Sequence, residues 1–172
     1  LLPGLRQLGS ILQGHPDCQL LPCLTASTGS LGQGLSIAQG YALAARLDQT
    51  TRRVYALLGD GECNEGQIWE AFMSAGHFKL DNLTAVIDYN KAQIDGLTKD
   101  VMNPEPLKAK LEAFNWEVFE IDGHDLNLLE KTLKDCAQIK GKPQIIIAHT
   151  IKGKGVSFME SDLVKWHGVA PN

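Results

Sequence analysis

Two apolar runs that stop dead against polar residues constrain this chain most. Val54 to Leu58 ends at Gly59-Asp60-Gly61, and Leu83 to Ile87 ends at Asp88-Tyr89-Asn90. Between them, from about Glu65 to Phe78, Ile68, Trp69, Phe72 and Ala75 recur at helical spacing and form one apolar face. Strand, turn, helix, strand is a βαβ unit, and polar residues just past the carboxyl ends of its strands face the crevice where parallel sheets bind ligands. Asp60 and Asn90 both stand at such positions. One carboxylate, one amide oxygen and a nearby backbone carbonyl suit a hard divalent cation. Mg²⁺ takes few protein oxygens and leaves its other positions to ligand phosphates and water.

The rest of the chain extends the same α/β alternation. Leu1 to Gly14 reads as the tail of a helix entering a loop, and Gly14-His15-Pro16 as a turn, since proline biases the residue before it toward extended geometry. Thr28-Gly29-Ser30-Leu31-Gly32-Gln33-Gly34 has three glycines in seven residues, which permit sharp turns and close backbone approach to a flat ligand. Taken alone it is equally a loop before a tightly packed helix, for Leu35, Ala38, Ala42 and Ala45 recur at helical spacing as far as Leu47. Beyond Asn90, Ile94-Asp95-Gly96 reads as a turn leaving the site, and Pro104 and Pro106 punctuate a loop before a helix from Leu107 to Phe114. Trp116 to Ile121 alternates as a strand. Asp125 is placed to cap a helix reaching about Gln138. Gln144 to Ala148 is a short β-branched strand, continuous in its apolarity as a sheet buried on both faces requires. His149 to Gly155 then brings Lys152 and Lys154 to the same carboxyl edge. An ammonium there can neutralise phosphate oxygens, although a basic surface loop has the same composition. The fold class expected is α/β, a doubly wound and mostly parallel sheet flanked by helices.

Composition excludes several other classes. A net charge of −4 gives no broad basic field for nucleic acid. No apolar stretch approaches membrane-span length. Cys18, Cys23, Cys63 and Cys136 lack the paired spacing of a zinc site and read as reduced thiols of a cytoplasmic protein. The 172 residues suffice for one domain, residues 1–172, with a sizeable core. The absence of an initiator methionine is expected of a chain that begins inside a longer protein.

Gly59-Asp60-Gly61 followed by Asn90 resembles the thiamine diphosphate motif, which opens on GDG and closes on an Asn about thirty residues later. An Asp-Gly turn by itself is common on surfaces. With GDGECNEGQIWEAFMSAGHFKLDN, DYNKAQIDG, Gly14-His15-Pro16, TGSLGQG and the ending His167-Gly168-Val169-Ala170-Pro171, the chain resembles the transketolase family from about Leu5 to Asn172. In particular it resembles the amino-terminal subunit of transketolases split over two chains.

That resemblance implies thiamine diphosphate and Mg²⁺ as cofactors. It implies a metal site of the Asp60 carboxylate, the Asn90 side-chain oxygen and the Ala92 carbonyl, with diphosphate oxygens and water completing six ligands. Gly29, Ser30 and Leu31 correspond to the backbone segment that meets the aminopyrimidine ring, Ser30 replacing the usual proline. Gly59, Gly61, Glu62 and Lys152 fall to the cofactor site as well. Glu65 matches an acidic residue at the subunit interface near the cofactor, and Glu70 a second one. His15 and His167 are the expected catalytic histidines, for sugar binding and proton handling. His124 reads as structural.

The reaction implied is transfer of a two-carbon ketol unit from a ketose phosphate to an aldose phosphate. The glutamate that activates the aminopyrimidine belongs, in the family, to a different, pyrimidine-binding domain. A carboxyl-terminal partner chain is therefore expected to supply it, in a heterotetramer of two copies of each chain. The family's upstream region, with two further substrate histidines, is expected to be missing. Alternatives of the same cofactor class are a deoxyxylulose phosphate synthase, which the GHP, TGSLGQG and HGVAP segments fit less well, and a 2-oxoacid dehydrogenase component. A cofactor-binding but non-catalytic regulatory subunit is the alternative of a different class.

Overall fold

The first sheet interaction is the pairing that the two apolar runs foretell. β1 (Val54–Gly59) lies parallel to β2 (Leu83–Tyr89), with Gly59 opposite Asp88. The computed structural model describes residues 2–169, so Ala170 and Pro171 of the HGVAP ending, and Asn172 after them, lie outside the described residues. Before β1, α1 (Gln33–Leu47) buries Leu35, Ala38, Ala42 and Ala45 as its spacing predicts. Between β1 and β2 comes α2 (Gly66–His77), which buries Ile68, Phe72 and Ala75.

The chain then forms a two-residue antiparallel ribbon, β3 (Ala92–Gln93) with β4 (Gly96–Leu97), followed by a single turn α3 (Thr98–Val101) and α4 (Leu107–Ala113). β5 (Glu117–Asp122) and β6 (Gln144–His149) flank α5 (Leu126–Cys136), and α6 (Ser157–Glu160) closes the described elements. The Asp125 side chain accepts the Leu128 N–H and caps α5.

The sheet is parallel in every pair and ordered β1-β2-β6-β5. Its two faces are covered by different helices. Ala56, Leu58, Ala85, Ile87, Ile145 and Ile147 pack with α1, α2 and α4 in the larger core. Ile121, Ile146 and Ala148 pack with Leu128, Leu129 and Leu133 of α5 on the other face. The expected doubly wound α/β architecture is the observed one. After β2 the chain passes β6 to reach the far edge as β5, then returns between them. Loops leaving β1, β2 and β6 therefore meet at the carboxyl edge of the sheet, where open parallel sheets bind ligands.

One expectation is corrected. Leu1 to Gly14 does not read out as the tail of a helix: the described part is a 3-10 turn at Leu2–Gly4 followed by turns and loop. Arg6 and Gly9 both have positive φ, 60° and 79°, which no continuing right-handed helix can accommodate.

Candidate cofactor site

Asp60 sits one residue past β1 and is almost wholly buried, at 1% exposure. Its Oδ1 accepts the Gly61 N–H at 2.8 Å and its Oδ2 accepts the Lys91 N–H at 2.6 Å. Lys91 reaches that position with φ of 68°, a left-handed conformation rare for a side-chain-bearing residue. Burial pushes the Asp60 carboxyl above the ordinary carboxylate range, opposed by those two N–H groups. Asn90 follows β2. Its Oδ1 accepts the Ala92 N–H at 3.1 Å, and its Nδ2 donates to Asp88 Oδ2 at 3.0 Å.

Glu62 ties the glycine-rich loop to the end of β1. Its two carboxylate oxygens accept the Gly32 N–H at 2.9 Å and the Gly59 N–H at 3.0 Å. Gly32 has φ of 83°, and a Cβ there would lie 2.9 Å from the Glu65 Cβ, so the loop closes directly on the start of α2. Upstream, a Cβ on Gly29 would lie 3.2 Å from the His15 ring, which places His15 flat against the TGSLGQG loop.

From β6, Lys152 reaches the same place. Its ammonium donates to the Ala92 carbonyl at 3.5 Å and to His167 Nδ1 at 2.5 Å. A cationic donor on Nδ1 leaves the neutral imidazole protonated at Nε2, a hydrogen-bond donor. Burial holds the Lys152 ammonium below the ordinary lysine range, partly offset by the carboxylates of Asp60 and Asp88. Burial, and then the Lys152 charge, hold His167 below the ordinary histidine range.

These groups surround a cleft of about 320 Å³. Gly59, Asp60, Gly61 and Glu62 line it from β1, and Asn90 and Ala92 from β2 and β3. Leu31, Glu65, Lys152 and His167 also line it, whereas His15, Gly29 and Ser30 do not. Gln93, Ile94 and Asp95 also line the cleft, so the turn read as leaving the site instead folds over it. A two-residue strand has no periodicity to read, which is why this ribbon escapes the sequence. His124 Nε2 accepts the Ile151 N–H at 2.8 Å, which ties the turn after β5 to the loop after β6. Glu70 is exposed on α2.

The donors suit a hard cation. Asp60, Asn90 and the Ala92 carbonyl offer oxygen alone, and an ammonium already rests on the Ala92 oxygen. Among the described residues no cluster of three His, Cys, Asp or Glu side chains could hold a metal. A cation here would therefore draw on ligand oxygens, as Mg²⁺ does. The wall also carries Asp60, Glu62, Glu65 and Asp95 against Lys152. A diphosphate would meet net negative charge there unless a dication came with it.

No helix among the described residues is long and apolar enough to cross a membrane. Comparison with known proteins shows the family. The family described as transketolase, thiamine diphosphate binding domain, matches residues 2–171. An apulose-4-phosphate transketolase subunit of Phocaeicola vulgatus is 44% identical, covering 97% of this chain and 59% of its own length. A 6-deoxy-6-sulfo-D-fructose transketolase subunit of a Clostridium species is 46% identical, covering 95% and 59%. The chain thus spans about three fifths of these relatives. Among solved structures, the transketolase of Campylobacter jejuni superposes with a TM-score of 0.83 at 37% identity, covering 92% of this chain and 26% of that one. By its parallel sheet, its strand-end Asp60 and Asn90, and these matches over nearly its whole length, the chain belongs to the thiamine diphosphate binding domain family of transketolases.

Proposed function

We propose that this chain, as one diphosphate-binding domain, is the amino-terminal subunit of a split transketolase that moves a two-carbon ketol unit from a ketose phosphate to an aldose phosphate. The observation that carries the reading is the convergence of Asp60, Asn90, Ala92 and Lys152 on one cleft at the carboxyl edge of the sheet. Its likeness to relatives named as transketolase subunits supports the two-chain form.

When bound, thiamine diphosphate supplies the nucleophilic carbon and electron sink that carbon–carbon cleavage of a ketose needs. Asp60, Asn90 and the Ala92 carbonyl would hold Mg²⁺ with the diphosphate. Gly59 and Gly61 let the backbone approach it, Glu62 holds the loop edge in register, and Lys152 offsets its charge. Gly29, Ser30 and Leu31 would offer backbone groups to the aminopyrimidine, and Glu65, at the head of α2, would face the partner near the cofactor. His15 would hydrogen-bond a sugar hydroxyl or carbonyl. His167, with Nδ1 occupied by Lys152, would present Nε2–H to oxygen where negative charge develops.

The partner would be the pyrimidine-binding, carboxyl-terminal subunit carrying the activating glutamate, in a heterotetramer with two copies of each. The test is reconstitution: the purified chain is mixed with a candidate partner, thiamine diphosphate and Mg²⁺, and ketol transfer between sugar phosphates is followed. Activity of the mixture and of neither chain alone is expected. A mixture that forms a complex yet transfers nothing would favour a regulatory role.

A further inference from the structure

Asp88 is an acidic residue at the site to which the functional reading gives no part. β2 alternates its side chains between the two faces of the sheet. Leu83, Ala85 and Ile87 enter the larger core, and Val86 packs with the α5 side. Asp88 falls on the Val86 face, opposite Gly59 on one side and Ala148 on the other, so it lies in the middle of the sheet's carboxyl edge. There it borders a second cleft, which shares Asn90, Lys152 and His167 with the first.

Its hydrogen bonds are divided between two strands. Oδ1 accepts the Thr150 hydroxyl from the loop after β6. Oδ2 accepts Asn90 Nδ2 at 3.0 Å. The main chain holds the same three strand ends together, because Asp60 N–H donates to the Asp88 carbonyl at 3.2 Å and Thr150 N–H to the Tyr89 carbonyl at 3.2 Å. An asparagine amide has two faces of opposite polarity. A carboxylate can only accept, so whichever end of the Asn90 amide meets Asp88 must be the NH₂. The oxygen is then turned the other way, where it takes the Ala92 N–H at 3.1 Å and keeps a lone pair.

We propose that Asp88, itself fixed by Thr150, is a positioning residue that locks the Asn90 amide with its oxygen toward the cation position and its NH₂ away from it. The proposal rests on the reading of Asn90 as a cation ligand. Without Asp88 only the Ala92 N–H orients the amide, which can then turn over at the cost of that one bond and offer donor hydrogens to a cation. Partners of this kind, one shell out from a metal ligand, typically change metal affinity by about 10- to 100-fold.

The test has two readouts, neither of them turnover. Mn²⁺ replaces Mg²⁺, and EPR follows its titration into the full chain with thiamine diphosphate present, at protein concentrations suited to a weak site. Asp88→Ala should weaken Mn²⁺ binding about 10-fold or more. Asp88→Asn keeps an oxygen that can face Asn90 Nδ2 and should restore most of the loss. Thr150→Val should give a smaller loss. In the Asn90→Ala background, Asp88→Ala should have little further effect. Separately, without metal, the two side-chain amide protons of Asn90 should be well dispersed in ¹⁵N-resolved NMR spectra, and Asp88→Ala should bring them together.

Equal losses from Asp88→Ala and Asp88→Asn would overturn the positioning role and leave only a charge effect. So would full losses from Asp88→Ala in both Asn90 backgrounds. If Asn90→Ala itself binds Mn²⁺ as the wild type does, the ligand reading falls instead. If Asp88→Ala does not fold, as melting would show, Asp88→Asn and Thr150→Val with the NMR readout decide.

Discussion

His167 and Lys152 show how little of a residue's role is visible until its neighbour is. The HGVAP resemblance singles out His167, and the loop after β6 singles out Lys152, but their 2.5 Å contact across fifteen residues is a product of the fold. Removing a donor aimed at developing charge typically costs on the order of 10²- to 10³-fold in rate. His167→Ala in the assembled enzyme should lower kcat by that order with cofactor affinity nearly kept. His15→Ala should instead raise KM for the sugar more than it lowers kcat. Unchanged kcat and KM for His167→Ala in steady-state kinetics would mean that the residue is only part of a tail. Asp88 lies inside the DYN segment, but its partner Thr150 is 62 residues away, so nothing local announces it.

Asp81 allows a pH test at the same scale. Although some burial raises its carboxyl, hydrogen bonds from Gly141 N–H and Arg46, with the Arg46 charge, bring it below the ordinary carboxylate range. Its stabilisation is therefore present above about pH 4 and lost as pH falls through the lowered folded value. Asp81→Asn should cost roughly 0.5–1 kcal/mol at neutral pH in urea unfolding, and the difference from wild type should vanish in acid.

Among the elements, those read correctly from the sequence are the ones whose burial is periodic or continuous. α1 begins two residues before its first apolar position, α2 differs by a residue at each end, and β6 is buried at five successive positions, as a strand covered on both faces must be. What periodicity cannot show is close approach. Gly76 is in the last turn of α2, and a Cβ there would lie 1.8 Å from the Phe114 carbonyl oxygen at the end of α4. Backbone cannot yield as a flexible side chain can. Gly76→Ala should destabilise by at least about 1–3 kcal/mol, measured as a lower urea midpoint. Arg53 ties the amino ends of the strands: its guanidinium donates to Thr84 Oγ1 at 2.9 Å and Gln144 Oε1 at 2.7 Å, both residues wholly buried. Arg53→Met leaves those acceptors one donor short and should cost about 1–3 kcal/mol.

For the molecule as a whole, the α/β class and the position of the cleft were legible because both follow from where apolar runs end. The pairing of β2 with β6 was not, since strand order depends on pairings across sixty residues. The charged side chains of the cleft wall are acidic apart from Lys152, and that imbalance makes cofactor binding cation-dependent in the proposed reading. Half of the cofactor's contacts are expected from the partner chain, so this chain alone should bind thiamine diphosphate weakly and transfer no ketol unit.

The most direct measurement is calorimetric titration of thiamine diphosphate into the assembled two-chain complex, for wild type and Asp60→Ala, with Mg²⁺ and with a chelator. Asp60 is the single charged side chain in the proposed cation shell. Binding should be tight with Mg²⁺, lost with chelator, and lost in Asp60→Ala under both conditions. An Asp60→Ala complex that binds the cofactor with wild-type affinity in Mg²⁺ would contradict the account.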